Sequence, residues 1–168
     1  GGTTVALSGV QGGEGTSFLS ILLAISLGAF THRRVAFLDS RFNAGRFEAL
    51  ADLLGLAADS FNMKGTASKI LGYYKVAQPN VYFLKGEGGE AGMEFFSDKQ
   101  LHLFLEDLRL NFDFTIIDMP SLLREPTGVF IAPALDRLYV VVHAGKTKSR
   151  DLGRLLDVCR ESGLVGSG

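Results

Sequence analysis

The feature that most restricts how this chain can fold is a glycine cluster, Gly9-Val10-Gln11-Gly12-Gly13-Glu14-Gly15-Thr16-Ser17, set between two apolar runs. Val5-Ala6-Leu7-Ser8 before it has the character of a buried strand, and the stretch from Phe18 to Phe30 after it is long enough for about three helical turns. Glycines in such a strand-to-helix turn let backbone N–H groups converge on an anion with no Cβ in the way. The helix N-terminus that follows adds partial positive charge. The stretch therefore reads as a cradle for phosphate, with the backbone of Gly12, Gly13, Glu14, Gly15, Thr16 and Ser17 as the candidate contacts. It departs from the pattern G-x-x-x-x-G-K-[ST], because Val10 stands at the first glycine and Thr16 at the lysine. The loop is shaped for phosphate but lacks its cation, and a ligand-free turn is the plainer alternative.

Further along, Val35-Ala36-Phe37-Leu38-Asp39 reads as a second buried strand ending in a carboxylate. Strand, helix and strand at this spacing make a βαβ unit, whose parallel strands present their carboxyl ends to ligands, so Asp39 is expected to face the loop. A helix is expected from Arg46 to Leu54 with a stop at Gly55, a weaker one from Thr66 to Tyr74, and a strand from Asn80 to Leu84 leading into the flexible Lys85-Gly86-Glu87-Gly88-Gly89. Ser97 is a plausible N-cap for a helix to Leu110. Phe114-Thr115-Ile116-Ile117-Asp118-Met119-Pro120 is a strand ending in a second aspartate, of the kind that holds a magnesium-bound water in a phosphate site. A helix from Glu125 to Ala132, a buried strand from Arg137 to Val142 and a helix from Ser149 to Glu161 complete the pattern. Alternation of this kind predicts one α/β domain over residues 1–168, a three-layer sandwich with a mostly parallel sheet.

Bulk properties narrow the partners. With 17 basic and 18 acidic residues there is no charge excess to recruit nucleic acid or an anionic membrane. The single cysteine, Cys159, cannot form an intramolecular disulfide and suits a reducing compartment and a helix core. The run from Phe18 to Phe30 falls short of the roughly 20 residues a membrane span needs and reads as a central helix buried on most sides. No basic segment precedes the first strand as in a targeting signal, and the terminal Gly1-Gly2 and Gly166-Ser167-Gly168 read as ends left by cutting or tagging a longer chain. His32, His102 and His143 lack metal-ligand spacing, Tyr73-Tyr74 reads as packing, and the basic Lys146, Lys148, Arg150 and Arg154 read as a solvated face.

The ordered set of a glycine loop closing on Gly15-Thr16-Ser17, a strand ending in Asp39, the run Ile116-Ile117-Asp118-Met119-Pro120 and the later Gly145-Lys146-Thr147 resembles the deviant P-loop ATPases (ParA/MinD-like). Within them it is similar to the bacterial tyrosine kinases (BY-kinases) of capsule and exopolysaccharide export. The resemblance spans Val5 to about Gly163 and implies a P-loop NTPase-like fold, truncated at both ends. It also implies ATP or ADP on the loop, Mg²⁺ on Ser17 and Asp118, and catalytic roles for Asp39 and Asp118. The implied partner is a membrane-embedded polysaccharide co-polymerase or export protein, with self-association. The implied place is the cytoplasm, peripheral to the inner membrane through that partner.

Two departures from the family pattern are chemically pointed. The family's phosphate lysine falls on Thr16, and its D-x-D-x-R motif falls on Asp39-Ser40-Arg41-Phe42-Asn43, which puts Arg41 where a carboxylate belongs. A charged hydrogen bond contributes about 1.5–3 kcal/mol, so losing the lysine weakens nucleotide binding about tenfold or more. Turnover suffers further, because phosphoryl transfer depends on stabilising charge. Arg41 is the candidate replacement cation. Three readings stay open: a catalytically degenerate regulatory or assembly domain, an active Mg-ATP tyrosine autokinase or ATPase, and a nucleotide-independent interaction module.

Overall fold

In the computed structural model the chain runs β1 (Thr3–Gly9), α1 (Thr16–Thr31), β2 (Val35–Asp39), α2 (Ala44–Leu54), β3 (Ala57–Ala58), β4 (Leu71–Lys75) and β5 (Val81–Gly86). It continues through α3 (Asp98–Asn111), β6 (Phe114–Met119), α4 (Gly128–Ile131), β7 (Arg137–Val141) and α5 (Ser149–Glu161), with 3₁₀ turns at Met93–Phe95 and Ala132–Ala134. The structure describes residues 1–59, 64–65, 67, 70–75, 80–87, 92–125 and 127–164.

The strands form one sheet in the order β3-β4-β5-β2-β6-β1-β7. The five from β5 to β7 are parallel, and β3 and β4 add antiparallel at one edge. Because β6 inserts between β1 and β2, Asp118 lies opposite Asp39 on one side and Leu7 on the other. Both aspartates thus end adjacent strands on the edge where β1 turns into α1.

Side-chain alternation along the strands builds two cores. Val5, Leu7, Phe37, Phe83 and Ile116 pack under Ala24 of α1 and Phe47 and Leu50 of α2. Ala6, Leu38 and Ile117 pack on the other face under Leu101, Phe104, Leu105 and Leu108 of α3 and Leu155 and Cys159 of α5. The result is the expected three-layer α/β sandwich. The expected Ser97 cap holds, closing α3 in a reciprocal box with Gln100; α2 begins at Ala44, two residues before the expected Arg46, where Asn43 caps it by accepting the Arg46 N–H.

Four expectations change. The apolar run after the loop is helical but not buried on most sides: only Ser20, Ala24 and Gly28 of α1 are buried, while Phe18, Leu22 and Phe30 are exposed. Their i, i+4 spacing lays a narrow stripe of small residues on the sheet, so close at Gly28 that a Cβ there would stand 2.2 Å from Val81 Cγ2. The expected weak helix to Tyr74 is instead β4 over Leu71–Lys75, because that segment pairs with both β3 and β5; Thr66, Ser68 and Lys69 lie outside the described residues. β7 is not buried: it pairs only with β1 among the described residues and leaves Tyr139 exposed. The helix expected from Glu125 shrinks to α4 and a 3₁₀ turn carrying Pro133, which cannot donate to a helical ladder. Gly88, Gly89 and the terminal Gly166-Ser167-Gly168 lie outside the described residues.

Candidate phosphate-binding site

The glycine loop takes the shape its sequence predicts. Gly12, Gly13 and Gly15 have φ of 98°, 83° and 83°, left-handed values that L side chains resist, and Gly15 leads directly into α1. Alternating backbone of this kind turns successive N–H groups into one concavity. Part of that concavity is already filled by the loop itself. Gln11 N–H donates to Glu14 Oε1 at 2.7 Å and Gly12 N–H donates to Glu14 Oε2 at 2.8 Å. Gly9 makes room for this carboxylate, since a Cβ there would lie 2.2 Å from Glu14 Oε2. The N–H groups of Gly13, Gly15 and Thr16 have no partner among the described residues.

Across from the loop stand the two strand-end aspartates. Ser17 Oγ donates to Asp118 Oδ2 at 2.5 Å, and Arg46 Nη2 donates to Ser17 Oγ at 2.5 Å and to Asp118 Oδ2 at 3.3 Å. Arg46 Nη1 is also 3.3 Å from Asp39 Oδ2. Arg41 binds Asp39 through its backbone N–H at 3.0 Å and its Nε at 3.5 Å, and reaches Glu125 with Nη1 at 3.4 Å. Burial pushes the Asp118 carboxyl up to about 6, helped by the neighbouring Asp39 carboxylate and opposed by the Ser17 hydrogen bond and by Arg41. Burial likewise raises Asp39, against the pull of the Arg41 N–H and guanidinium.

A pocket of 380 Å³ opens between these two sides. Its wall includes Gly12, Gly13, Thr16, Ser17, Arg41, Arg46, Asp118, Ser121 and Arg124. Arg124 lies beside the loop, with Nη1 3.7 Å from where a Cβ on Gly12 would be. The buried side-chain polar atoms that lack a hydrogen bond among the described residues are Asp39 Oδ2, Arg41 Nε and Ser121 Oγ, and all three belong to this end of the sheet. On the other flank of the loop, Lys146, Thr147, Lys148 and His143 line a second pocket of 230 Å³.

The structure therefore brings together the residues picked out by sequence, Asp39, Arg41, Asp118 and the loop from Gly12 to Ser17. It places two of them unexpectedly. Glu14 turns its carboxylate into its own loop, and Arg41 is paired with Asp39 and Glu125 at the pocket wall. Sequence reasoning missed Arg46, Ser121 and Arg124. Arg46 did carry a signal: it sits in the first turn of α2, where a positive charge opposes the helix macrodipole and needs another reason to be there. Ser121 and Arg124 follow Pro120 with no local pattern. The donor set is also a poor fit for Mg²⁺ as arranged, since the guanidinium of Arg46 already contacts both Ser17 and Asp118.

No protein-family model and no curated protein matches the sequence. Solved structures do match its fold. The BceF tyrosine kinase domain aligns at 20% identity with a TM-score of 0.69, over 96% of this chain and 64% of that one. The kinase domain of the Escherichia coli tyrosine kinase ETK aligns at 15% identity and 0.72, over 96% and 63%. A ParA family ATPase from Chlorobium tepidum aligns at 16% identity and 0.63, over 96% and 69%. The chain thus spans less than two thirds of the length of the two kinase domains. Its mostly parallel sheet with helices on both faces is the fold of these tyrosine kinase domains and this ParA family ATPase, a P-loop NTPase-like architecture.

Proposed function

We propose that this chain is a BY-kinase-like P-loop domain that retains a nucleotide-phosphate site and has lost turnover, serving as a regulatory or assembly component of exopolysaccharide biosynthesis or export. The observation that carries the reading is the collection of left-handed glycines, three arginines and the Ser121 hydroxyl, which lacks a hydrogen bond among the described residues, in one pocket at the carboxyl ends of parallel strands. A turn with a merely structural role has no need of them. Loss of turnover rests on Thr16, which brings no charge to the place where phosphoryl transfer needs one. The partner that fits is a membrane-embedded polysaccharide co-polymerase or export protein, which would hold the domain at the inner membrane from the cytoplasmic side; self-association fits the same role. No helix among the described residues is long and apolar enough to cross a membrane.

A second reading, an active Mg-ATP tyrosine autokinase or ATPase, draws on the intact pairing of Ser17 with Asp118. On this reading Asp39 would help activate the attacking group, and Arg46 would have to leave Ser17 and Asp118 for those two residues to hold Mg²⁺. ATP titration by calorimetry, with phosphate release and phosphotyrosine followed in parallel on the full-length protein, separates the two. Binding without either product supports the degenerate site. Product formation supports the enzyme, and no heat at all returns the chain to a nucleotide-independent interaction module.

A further inference from the structure

Both charges that a P-loop normally borrows from its ligands are present here as side chains. A carboxylate, Glu14, lies on the N–H groups of Gln11 and Gly12, as a phosphate would. A guanidinium, Arg46, lies on Ser17 and Asp118 and against Asp39, where a divalent cation would be expected. The two features are independent in the chain, one inside the loop and the other on the first turn of α2. Resting on the nucleotide reading above, we propose that this pocket is a metal-independent phosphate site in which Arg46 is the tethered cation and Glu14 is the internal anion that an incoming phosphate displaces.

The geometry supports an exchange of this kind. Glu14 and Gln11 line the smaller pocket beside the loop, and Gly12 and Gly13 line both pockets, so displacing Glu14 frees two N–H groups in the same loop whose Gly13, Gly15 and Thr16 N–H groups have no partner among the described residues. Ser121, 8% exposed, lines the same pocket with a hydroxyl that has no hydrogen-bond partner there. Arg124 and Arg46 stand on its wall with guanidinium forks suited to phosphate oxygens. A carboxylate held on backbone N–H groups is the weaker tenant, since a phosphate brings more charge and more acceptor oxygens than the single carboxylate it replaces. Mg²⁺ would have to evict Arg46 from two carboxylates at once.

ADP titrated calorimetrically into the chain, in excess EDTA and separately in excess Mg²⁺, tests this. The expected result is equal affinity in both. Arg46→Ala should weaken binding about tenfold in EDTA, the value of a lost charged hydrogen bond, and leave a Mg²⁺-dependent remainder. Arg46→Lys should recover part of the loss, and Glu14→Gln should tighten binding several-fold in both buffers, with thermal melts checking that each variant folds. Wild-type binding that requires Mg²⁺, or binding in EDTA indifferent to Arg46→Ala, overturns the tethered cation while leaving the nucleotide reading intact. Absence of ADP binding in every variant and buffer overturns the nucleotide reading itself.

Discussion

Two charge clusters sit at opposite ends of β1 and differ in how completely they are satisfied. At its start, Asp136 Oδ2 accepts the Thr4 N–H at 2.8 Å, the Thr4 hydroxyl at 2.7 Å and Arg109 Nε at 3.0 Å, while Arg109 Nη2 also donates to the Ala134 carbonyl at 2.9 Å. Past its end, Asp39 and Asp118 share Arg46, and Asp39 Oδ2, Arg41 Nε and Ser121 Oγ lack hydrogen bonds among the described residues. The carboxyls respond in opposite directions. Burial alone would raise Asp136, but its Thr4 and Arg109 hydrogen bonds outweigh that and hold it below the ordinary value. Burial wins at Asp118 and at Asp39. Carboxyls near the two ends of β1 thus form a closed structural clasp at one end and an incompletely satisfied cluster at the other.

The contrast can be broken first at the clasp. Asp136→Ala leaves the buried Thr4 N–H without its acceptor and removes one partner of Arg109, and should cost about 2–3 kcal/mol in urea unfolding at neutral pH. The site end should behave oppositely. A folded-state pKa of about 6, above the ordinary 3.8, means that the native protein holds the Asp118 proton more tightly than the unfolded chain. Stability therefore rises as pH falls from about 6 toward about 4, and ionised Asp118 is a burden at neutral pH. Asp118→Asn should flatten that window and leave the protein at least as stable at pH 7, by about 1–2 kcal/mol; a loss there would make the site a second clasp.

Smaller effects test the loop. Thr16→Lys places the missing cation beside the cradle and should tighten ADP binding about tenfold. Renewed hydrolysis in that variant would show the remaining machinery to be competent. Arg41 is already engaged by Asp39 and Glu125, so Arg41→Ala should weaken ADP binding by only about threefold, and an unchanged affinity removes Arg41 from the site.

What could be foreseen from sequence was what local chemistry writes locally. The glycine loop, the two strands ending in aspartate and the Ser97 cap each depend on residues within a few positions of one another. The pairing of Asp39 with Asp118 depends instead on β6 entering between β1 and β2, a choice made by strands about 80 residues apart. The stretch from Thr66 to Tyr74 reads from sequence as a weak helix, and pairing of Tyr73 and Tyr74 with β5 makes its end a strand. The exposed Phe18 and Phe30 show the same limit: hydropathy marked a helix but not which stripe of it meets the sheet. Arg46 was legible only as a charge at the wrong end of a helix dipole, and its partners come from three other elements.

The most direct test is a crystal structure of the chain grown with a non-hydrolysable ATP analogue. The account predicts phosphate on the N–H groups from Gln11 to Ser17, the Glu14 carboxylate swung out of the loop, and Arg46 still on Ser17 and Asp118. Glu14 found unmoved on Gln11 and Gly12, with no density over the loop, would contradict it.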